Sequence, residues 1–315
     1  MSTIVTVTLN PALDISTAVD AVVPDEKLRC DPPALDPGGG GVNVSRAIAR
    51  LGGRSRMLVA LGGGAGAEMR ALLRAEGLEP EDLGVGLPTR QSIAVTDRAS
   101  GQQYRFVLPG PAWQTADWGQ AEAKIAAAAG DGDILVASGS QPPGVPADFW
   151  LRVNAALAPR GVRTILDTSG PALRAAEAAS ATPLAVLRMD RAEARALAGR
   201  PLDGPAQIAE VARALVARGA AQTAAVACGA EGNVIADAGG SHLCRAPKVA
   251  VVSKVGAGDS FVAAFALALA QGESALEAGA RGTAAAASAV TTPATQLCDP
   301  ALAAALRAQV EIVPL

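Results

Sequence analysis

Short runs of β-branched and aliphatic residues alternate with helical patterns along nearly the whole of this 315-residue chain. The extended runs are Ile4 to Leu9, Met57 to Leu61, Ile134 to Ala137, Thr164 to Leu166, Ala185 to Leu187, Thr223 to Ala227 and Val249 to Val252. Between them the spacing predicts helices at Val42 to Leu51, Ala67 to Glu76, Ala121 to Ala129, Ala206 to Arg218 and Phe261 to Ala270. Strands separated by helices return to a sheet through crossovers, so they lie parallel, with helices layered on both faces. The expected fold class is therefore α/β, three layers deep, with ligands at the carboxyl ends of the strands.

Two regions break this rhythm. Residues from about Thr17 to Leu35, and Ile93 to Asp97 with Gln103 to Leu108, read as short strands with polar turns, and Ser100-Gly101 is a hairpin signal. They suit a small separate sheet, a candidate lid built from residues 15–35 and 90–110. No linker, composition break or internal repeat divides the chain, so the expectation is one domain spanning 1–315.

Composition narrows the function classes. Half of the residues are apolar, enough for a large core. The apolar runs are short or alanine-rich, as at Ile134 to Ala137 and Ala284 to Ala289, and the first residues lack a basic segment followed by an apolar one. Neither a membrane span nor a signal peptide is expected. Cys30, Cys228, Cys244 and Cys298 lie far apart, which suits reduced thiols in a cytoplasmic protein. A formal charge of −3 and eight aromatic residues give no general grip on nucleic acid. None of the four lysines follows a glycine, so the Gly-Lys-Ser/Thr phosphate loop is absent. His242 is the only histidine, which excludes HExxH zinc chemistry; it reads as a surface residue in a polar turn.

The segment Lys254-Val255-Gly256-Ala257-Gly258-Asp259-Ser260-Phe261 carries the clearest chemistry. If Val249 to Val252 is a strand and a helix starts near Phe261, backbone N–H groups of Gly256, Ala257 and Gly258 point at an anion, aided by the helix dipole. Asp259 would be repelled by such an anion, which suggests a proton acceptor beside a transferring phosphoryl group. The plainer alternative is a glycine turn with Asp259 as a helix cap.

Other segments are weaker alone. Pro37-Gly38-Gly39-Gly40-Gly41-Val42-Asn43 leads into a helix; so many glycines suit close approach of a ligand, with Asn43 bonding a polyol, or else a hinge. Asn10-Pro11-Ala12-Leu13-Asp14 follows the first strand, where Asp14 can accept from neighbouring hydroxyls; these are also ordinary turn residues. Lys27, Arg29, Arg90 and Arg105 fall in or beside the lid segments, as a phosphate clamp or as charges that keep a sheet edge soluble. Gly62 to Ala67 fits a loose dinucleotide pattern, but Glu79-Pro80-Glu81-Asp82 reads as a polar turn where an acid should close a second strand.

Taken together, Gly38 to Arg50 (GGGGVNVSRAIAR) with Leu51-Gly52-Gly53, and Val255 to Ala264 (VGAGDSFVAA), resemble the two signatures of the PfkB, or ribokinase-like, carbohydrate kinases. The likeness runs from Thr6 to the last helices. Lys27 to Cys30, the all-glycine Gly38 to Gly41, Gln103 to Gly110 and Ser138-Gly139-Ser140 are most similar to its 6-phosphofructokinase group. Relatives acting on fructose 1-phosphate or tagatose 6-phosphate usually carry lysine in place of Gly40.

The resemblance implies a ribokinase-like fold, ATP and Mg²⁺ as requirements with K⁺ left open, and transfer of phosphate from ATP to fructose 6-phosphate. Asp259 would be the base and Gly256, Ala257 and Gly258 the anion hole. Asp14, Gly39 and Asn43 would hold sugar hydroxyls, Lys27, Arg29, Arg90 and Arg105 the existing phosphate, with Ser138 beside the substrate. Asp190 and Glu193 occupy the family's NxxE position, associated with magnesium and nucleotide phosphates, and Gly229 and Gly232 its adenine-ribose loop. Arg188, Ala227 and Lys254 depart from the usual lysine, serine and threonine of the nucleotide site. The alternatives are a kinase of fructose 1-phosphate or tagatose 6-phosphate, and a sugar- or nucleotide-binding regulator. An exposed lid sheet suggests a homodimer through that surface.

Overall fold

Residues 4–8 and 134–138 are buried at every position, the pattern of strands covered on both faces. The computed structural model, which describes residues 2–293 and 295–315, places them side by side in the interior of a ten-stranded sheet. The strands of the chain are β1 (Ile4–Thr8), β2 (Ala12–Val19), β3 (Ala34–Gly38), β4 (Arg56–Val59), β5 (Pro80–Asp82), β6 (Arg90–Asp97), β7 (Gln103–Val107), β8 (Ile134–Ser138), β9 (Arg163–Asp167), β10 (Leu184–Met189), β11 (Ala221–Ala227), β12 (Gly232–Asp237), β13 (Gly240–Arg245) and β14 (Glu311–Pro314). The helices are α1 (Gly40–Arg50), α2 (Gly63–Ala75), α3 (Thr115–Ala128), α4 (Phe149–Leu157), α5 (Gly170–Ala176), α6 (Arg191–Ala198), α7 (Pro205–Ala217), α8 (Ala257–Ala270), α9 (Ala275–Ala289) and α10 (Pro300–Arg307).

The large sheet runs β14-β13-β12-β11-β10-β9-β8-β1-β4-β5. From β5 to β11 every neighbouring pair is parallel; β12, β13 and β14 are added antiparallel. Successive side chains feed opposite cores, as a period of two requires. Val5, Val7, Leu135 and Ala137 pack with residues of α3, α4 and α7, whereas Ile4, Ile134 and Val136 pack with α1, α8 and α9. The chain order turns back on itself at β1, between β4 and β8, the place where open sheets of this kind leave a crevice at their carboxyl ends.

Two helices set the floor of that crevice. α8 is apolar nearly all round and lies against α9, whose small residues allow a close approach: a Cβ at Gly282 would stand 2.6 Å from the Phe261 ring. Phe265 is fully buried between them, and its replacement by alanine would cost about 3–5 kcal/mol. The second, smaller sheet has the order β3-β2-β6-β7. Its β6–β7 hairpin turns at Ser100-Gly101 as expected, with Gly101 in the left-handed region at φ 69°.

Four expectations fail. Val249 to Val252 is not a strand: Val251 and Val252 are 59% and 63% exposed, and no neighbouring strand offers them hydrogen bonds. The β-branched run instead forms the rim of a cavity, so propensity alone misled. Pro80–Asp82 is not a polar turn but an edge strand, where exposure of alternate residues lets Glu81 pair with Arg56 of β4. His242 lies within β13, half-buried, not in a turn. In addition, residues 20–33 form no strand; Arg98 ties this segment to the hairpin through Asp20 and Asp31.

Candidate active site

Helix α8 begins where Gly256 takes the left-handed conformation at φ 76°, a position where a Cβ would also press on Leu297 at 2.6 Å. The N–H groups of the first turn, at Ala257, Gly258 and Asp259, have no carbonyl partner inside the helix. Over this turn lies the guanidinium of Arg188: a Cβ on Gly258 would be 2.8 Å from its Nη2. Glycine at 258 therefore leaves room for a cation beside free amides, an arrangement suited to an anion.

Arg188 is held by sheet register. Ser138 and Asp167, the last residues of β8 and β9, and Arg188, the penultimate residue of β10, are direct neighbours across the sheet. Arg188 Nη1 donates to Asp167 Oδ1 at 3.0 Å, and Ser138 Oγ donates to Asp167 Oδ2 at 3.4 Å. Burial opposes the arginine's charge, but Asp167, helped by Asp259 and Glu193, offsets it and keeps the group protonated.

Asp259 is half-buried and accepts a hydrogen bond from Asn43 Nδ2 at 2.9 Å, from a residue 216 positions away. Ordinarily a carboxylate in a first helical turn is favoured as the anion. Here burial, and then the nearby Asp167 carboxylate, push Asp259 from 3.8 up to about 7, against the lowering by Asn43, Arg188 and Arg46. A carboxylate poised there can accept a proton near neutral pH.

On one side of this group opens a cavity of about 570 Å³, lined by Arg188, Ala227, Gly229, Gly232, Lys254, Ala257 and Gly258, with Val249 and Val251 at its wall. Its size and mostly apolar lining suit a nucleotide-sized ligand with phosphates directed at α8. On the other side, β3 delivers Gly39 to the start of α1 at φ 123°. Gly40 abuts Ser138 and Gly139, where a Cβ would collide with the serine Oγ. Asp14 lies against Gly38, and burial raises its carboxyl despite Arg90 and Arg105 nearby. Arg90 is half-buried, its guanidinium directed at the Asn10 and Leu108 carbonyls and Ser92 Oγ.

The structure thus gathers Asp259, Gly256, Ala257, Gly258, Asn43, Arg188 and Ser138 at one place, and Asp14 with Arg90 and Arg105 at another. Lys27 and Arg29 are exposed on the strandless segment, and Arg105 is exposed on β7. Asp190 and Glu193 form a capping box for α6: Asp190 Oδ1 accepts from the Glu193 N–H at 2.8 Å, and Glu193 Oε2 from the Asp190 N–H at 2.7 Å. Burial raises the Glu193 carboxyl, which shares the fields of Asp167 and Arg188. Among the described residues no three histidine, cysteine or acidic groups converge. The two carboxylates of Asp190 and Glu193 are the kind of donor that fits magnesium, which keeps waters and takes one or two carboxylates together with phosphate oxygens.

Some residues escaped sequence reasoning. Asp167 is a lone acid at a strand end, which carries no pattern. Asn233, whose Nδ2 donates to Thr283 Oγ1 at 3.0 Å, lines the cavity from two elements that only folding joins. Arg46 and Glu76, described below, gave no signal beyond helical spacing.

The profile of the pfkB family carbohydrate kinases matches residues 7–302. The chain belongs to the pfkB family. Within this family it is 39% identical to ATP-dependent 6-phosphofructokinase isozyme 2 of Mycobacterium tuberculosis over 297 residues, covering 94% of this chain and 86% of the relative. It is 38% identical to the enzyme of that name from Escherichia coli over 299 residues, 95% of this chain and 96% of the relative. The crystal structure of phosphofructokinase-2 from Escherichia coli in complex with potassium superposes with a TM-score of 0.91 at 36% identity, over 98% of this chain and 99% of that one. The fold is thus that of the pfkB kinases, and the dinucleotide reading of Gly62 to Ala67 is set aside: the strand-end acid Asp82 is occupied by the Gly84 N–H at 2.7 Å and Arg70 at 3.4 Å. No helix among the described residues is long and apolar enough to cross a membrane.

Proposed function

We propose that the protein is a cytoplasmic, ATP- and Mg²⁺-dependent kinase that converts fructose 6-phosphate to fructose 1,6-bisphosphate. The acceptor hydroxyl oxygen bonds to the terminal phosphorus of ATP, the bond from that phosphorus to the ADP oxygen breaks, and the hydroxyl proton passes to Asp259. The reading rests above all on Asp259, a carboxylate raised to about 7 at the free amide end of α8, between a nucleotide-sized cavity and the Asn43 loop.

In this scheme the chain acts as one domain, 1–315, with the small sheet as its lid. The first-turn amides of α8 and Arg188 hold the transferring phosphoryl group, while Ala227, Gly229, Gly232 and Lys254 border the rest of the nucleotide. Asp190 and Glu193 would hold the magnesium ion, which when bound offsets phosphate charge. Asp14, Gly39, Asn43 and Ser138 surround the sugar, and Arg90, with Arg105, Lys27 and Arg29 from the lid, meets its phosphate.

The choice of sugar is supported by Gly40. A lysine there, usual in relatives that act on fructose 1-phosphate or tagatose 6-phosphate, would drive its Cβ into Ser138 and to within 2.7 Å of the Gly139 nitrogen. An ADP-release assay over fructose 6-phosphate, fructose 1-phosphate and tagatose 6-phosphate, with and without K⁺, tests the proposal. The highest kcat/KM is expected for fructose 6-phosphate. A preference for either other sugar overturns the assignment, and sugar binding by calorimetry with no turnover under any divalent metal would make the protein a regulator.

We also propose a homodimer through the lid. Phe106 and Val107 on β7 are 54% and 66% exposed, beside exposed Tyr104 and Leu108, at an open sheet edge. Light scattering should give twice the chain mass, falling toward the monomer for Phe106→Glu; a wild-type monomer at working concentration rejects this.

A further inference from the structure

Among the described residues Arg46 is the only buried arginine or lysine, 4% exposed. It lies three residues after Asn43 on α1, one turn along the same face. Its Nε and Nη2 donate to Glu76 at the end of α2, at 2.8 and 2.6 Å, a two-pronged grip that fixes the guanidinium plane. Its Nη1 turns the other way, toward Asn43 Oδ1 at 3.5 Å and the Pro37 carbonyl of β3 at 3.4 Å.

This orientation matters because the two ends of an asparagine amide have nearly the same shape and opposite hydrogen-bonding character. If the NH₂ end faces Asp259, the carboxylate is supported as an acceptor. If the oxygen end faces it, the two acceptors repel and the base must take up a proton merely to coexist with its neighbour. Arg46 carries donors only, so the amide end beside it must be the oxygen. We propose that Arg46, anchored by Glu76, is a positioning residue that holds the Asn43 NH₂ toward Oδ2 of Asp259 and so keeps the base ready to receive the acceptor's proton at Oδ1. Through Pro37 the same guanidinium touches the strand that feeds the small sheet, so the base, the glycine loop and that sheet share one anchor. The inference rests on the reading of Asp259 as the base.

A simple clamp between α1 and α2 would affect stability alone, and the two roles separate experimentally. Arg46→Met by itself leaves Glu76 without its partner, so the informative variant is Arg46→Met with Glu76→Gln, which removes both charges. The groups facing Asp259 are Asp167 from β9, which raises it, and Asn43 of α1, Arg188 of β10 and Arg46 of α1, which lower it; the double variant disturbs Asn43 and removes Arg46. In the double variant, carbon-13 NMR of labelled aspartate carboxyls, with Asp259 assigned through Asp259→Asn, should show the Asp259 midpoint displaced to higher pH in the free protein. The kcat for fructose 6-phosphate should fall about 10- to 100-fold, with KM changed less than about threefold, because geometry at the reacting atoms is lost and sugar contacts are kept. Arg46→Lys, which retains charge without the fork, should recover much of the titration and little of the turnover.

An Asp259 midpoint unchanged in the double variant overturns the inference whatever the turnover. Full recovery of kcat by Arg46→Lys would reduce Arg46 to a charge and overturn the positioning role. Should the wild-type protein not phosphorylate fructose 6-phosphate at all, the proposed function fails, while the titration still decides whether Arg46 governs Asp259.

Discussion

The first turn of α8 and the small sheet both carry groups assigned to phosphate chemistry, yet they are held in opposite ways. At α8 each charged group has a partner on a different element: Asp259 on Asn43 of α1, Arg188 on Asp167 of the neighbouring strand. On the small sheet β7 is exposed at every residue, Arg105 with it, and Lys27 and Arg29 stand in solvent on the coil beside it; only Arg90 is braced by backbone carbonyls. The contrast suits the two tasks proposed for them. Proton removal in step with phosphoryl transfer fails when atoms move by an ångström, whereas attraction of an anion by several charges tolerates motion and leaves a sparsely packed element free to open.

The sharpest test of this division is Asp259→Asn, which should lower kcat about 10²- to 10⁴-fold while calorimetric binding of fructose 6-phosphate persists. Near-normal turnover would erase the distinction between the regions. Next in size, Arg90→Ala should raise KM about 10- to 100-fold with kcat nearly kept, the value of one charge-assisted phosphate contact of about 1.5–3 kcal/mol. Lys27→Ala and Arg29→Ala, on exposed coil, should each change KM by about fivefold or less, and less still at high salt. Equal losses on fructose and on its 6-phosphate would show that these cations do not read the phosphate.

The smallest effect concerns stability and pH. Asp259 binds its proton more tightly folded than unfolded, so between about pH 4 and its folded midpoint of about 7 the folded state holds the extra proton and stability falls as pH rises. Asp259→Asn should therefore melt higher than the wild type by a few degrees at pH 8, about 2–4 °C per kcal/mol for a chain of this order, with the gap closing toward pH 4. In the same range kcat/KM should rise with pH up to about 7, since it reports the base of the free enzyme. A melting gap independent of pH would mean that the carboxylate is not the strained group.

Much of the scaffold was legible because buried parallel strands leave uninterrupted apolar runs. Ile134 to Ala137, Thr164 to Leu166 and Ala185 to Leu187 each fall inside a strand of the large sheet. The same rule failed at Val249 to Val252, since the wall of a cavity can be built from apolar side chains as much as a core can. It failed in the other direction at Pro80–Asp82, where an edge strand is free to be charged. In the site, the glycines and Asp259 were visible as a local motif. The Asp259 contact with Asn43, the Asp167 contact with Arg188 and the Arg46 grip on Glu76 were not, because each joins segments whose separation in sequence carries no periodic mark. Asp190 and Glu193 were read only through the NxxE position; the helix cap they form emerged with the structure and is compatible with a metal-facing role for the remaining oxygens.

The row formed by Ser138, Asp167 and Arg188 exists only in one alignment of three strands. Were the middle strand displaced by a single residue, its acid would swing to the opposite face of the sheet, leaving the arginine uncompensated and the serine without its acceptor. A misaligned molecule could bury as much apolar surface yet would lack the proposed site, so correct threading of this strand is checked by the same charges that the site is proposed to use.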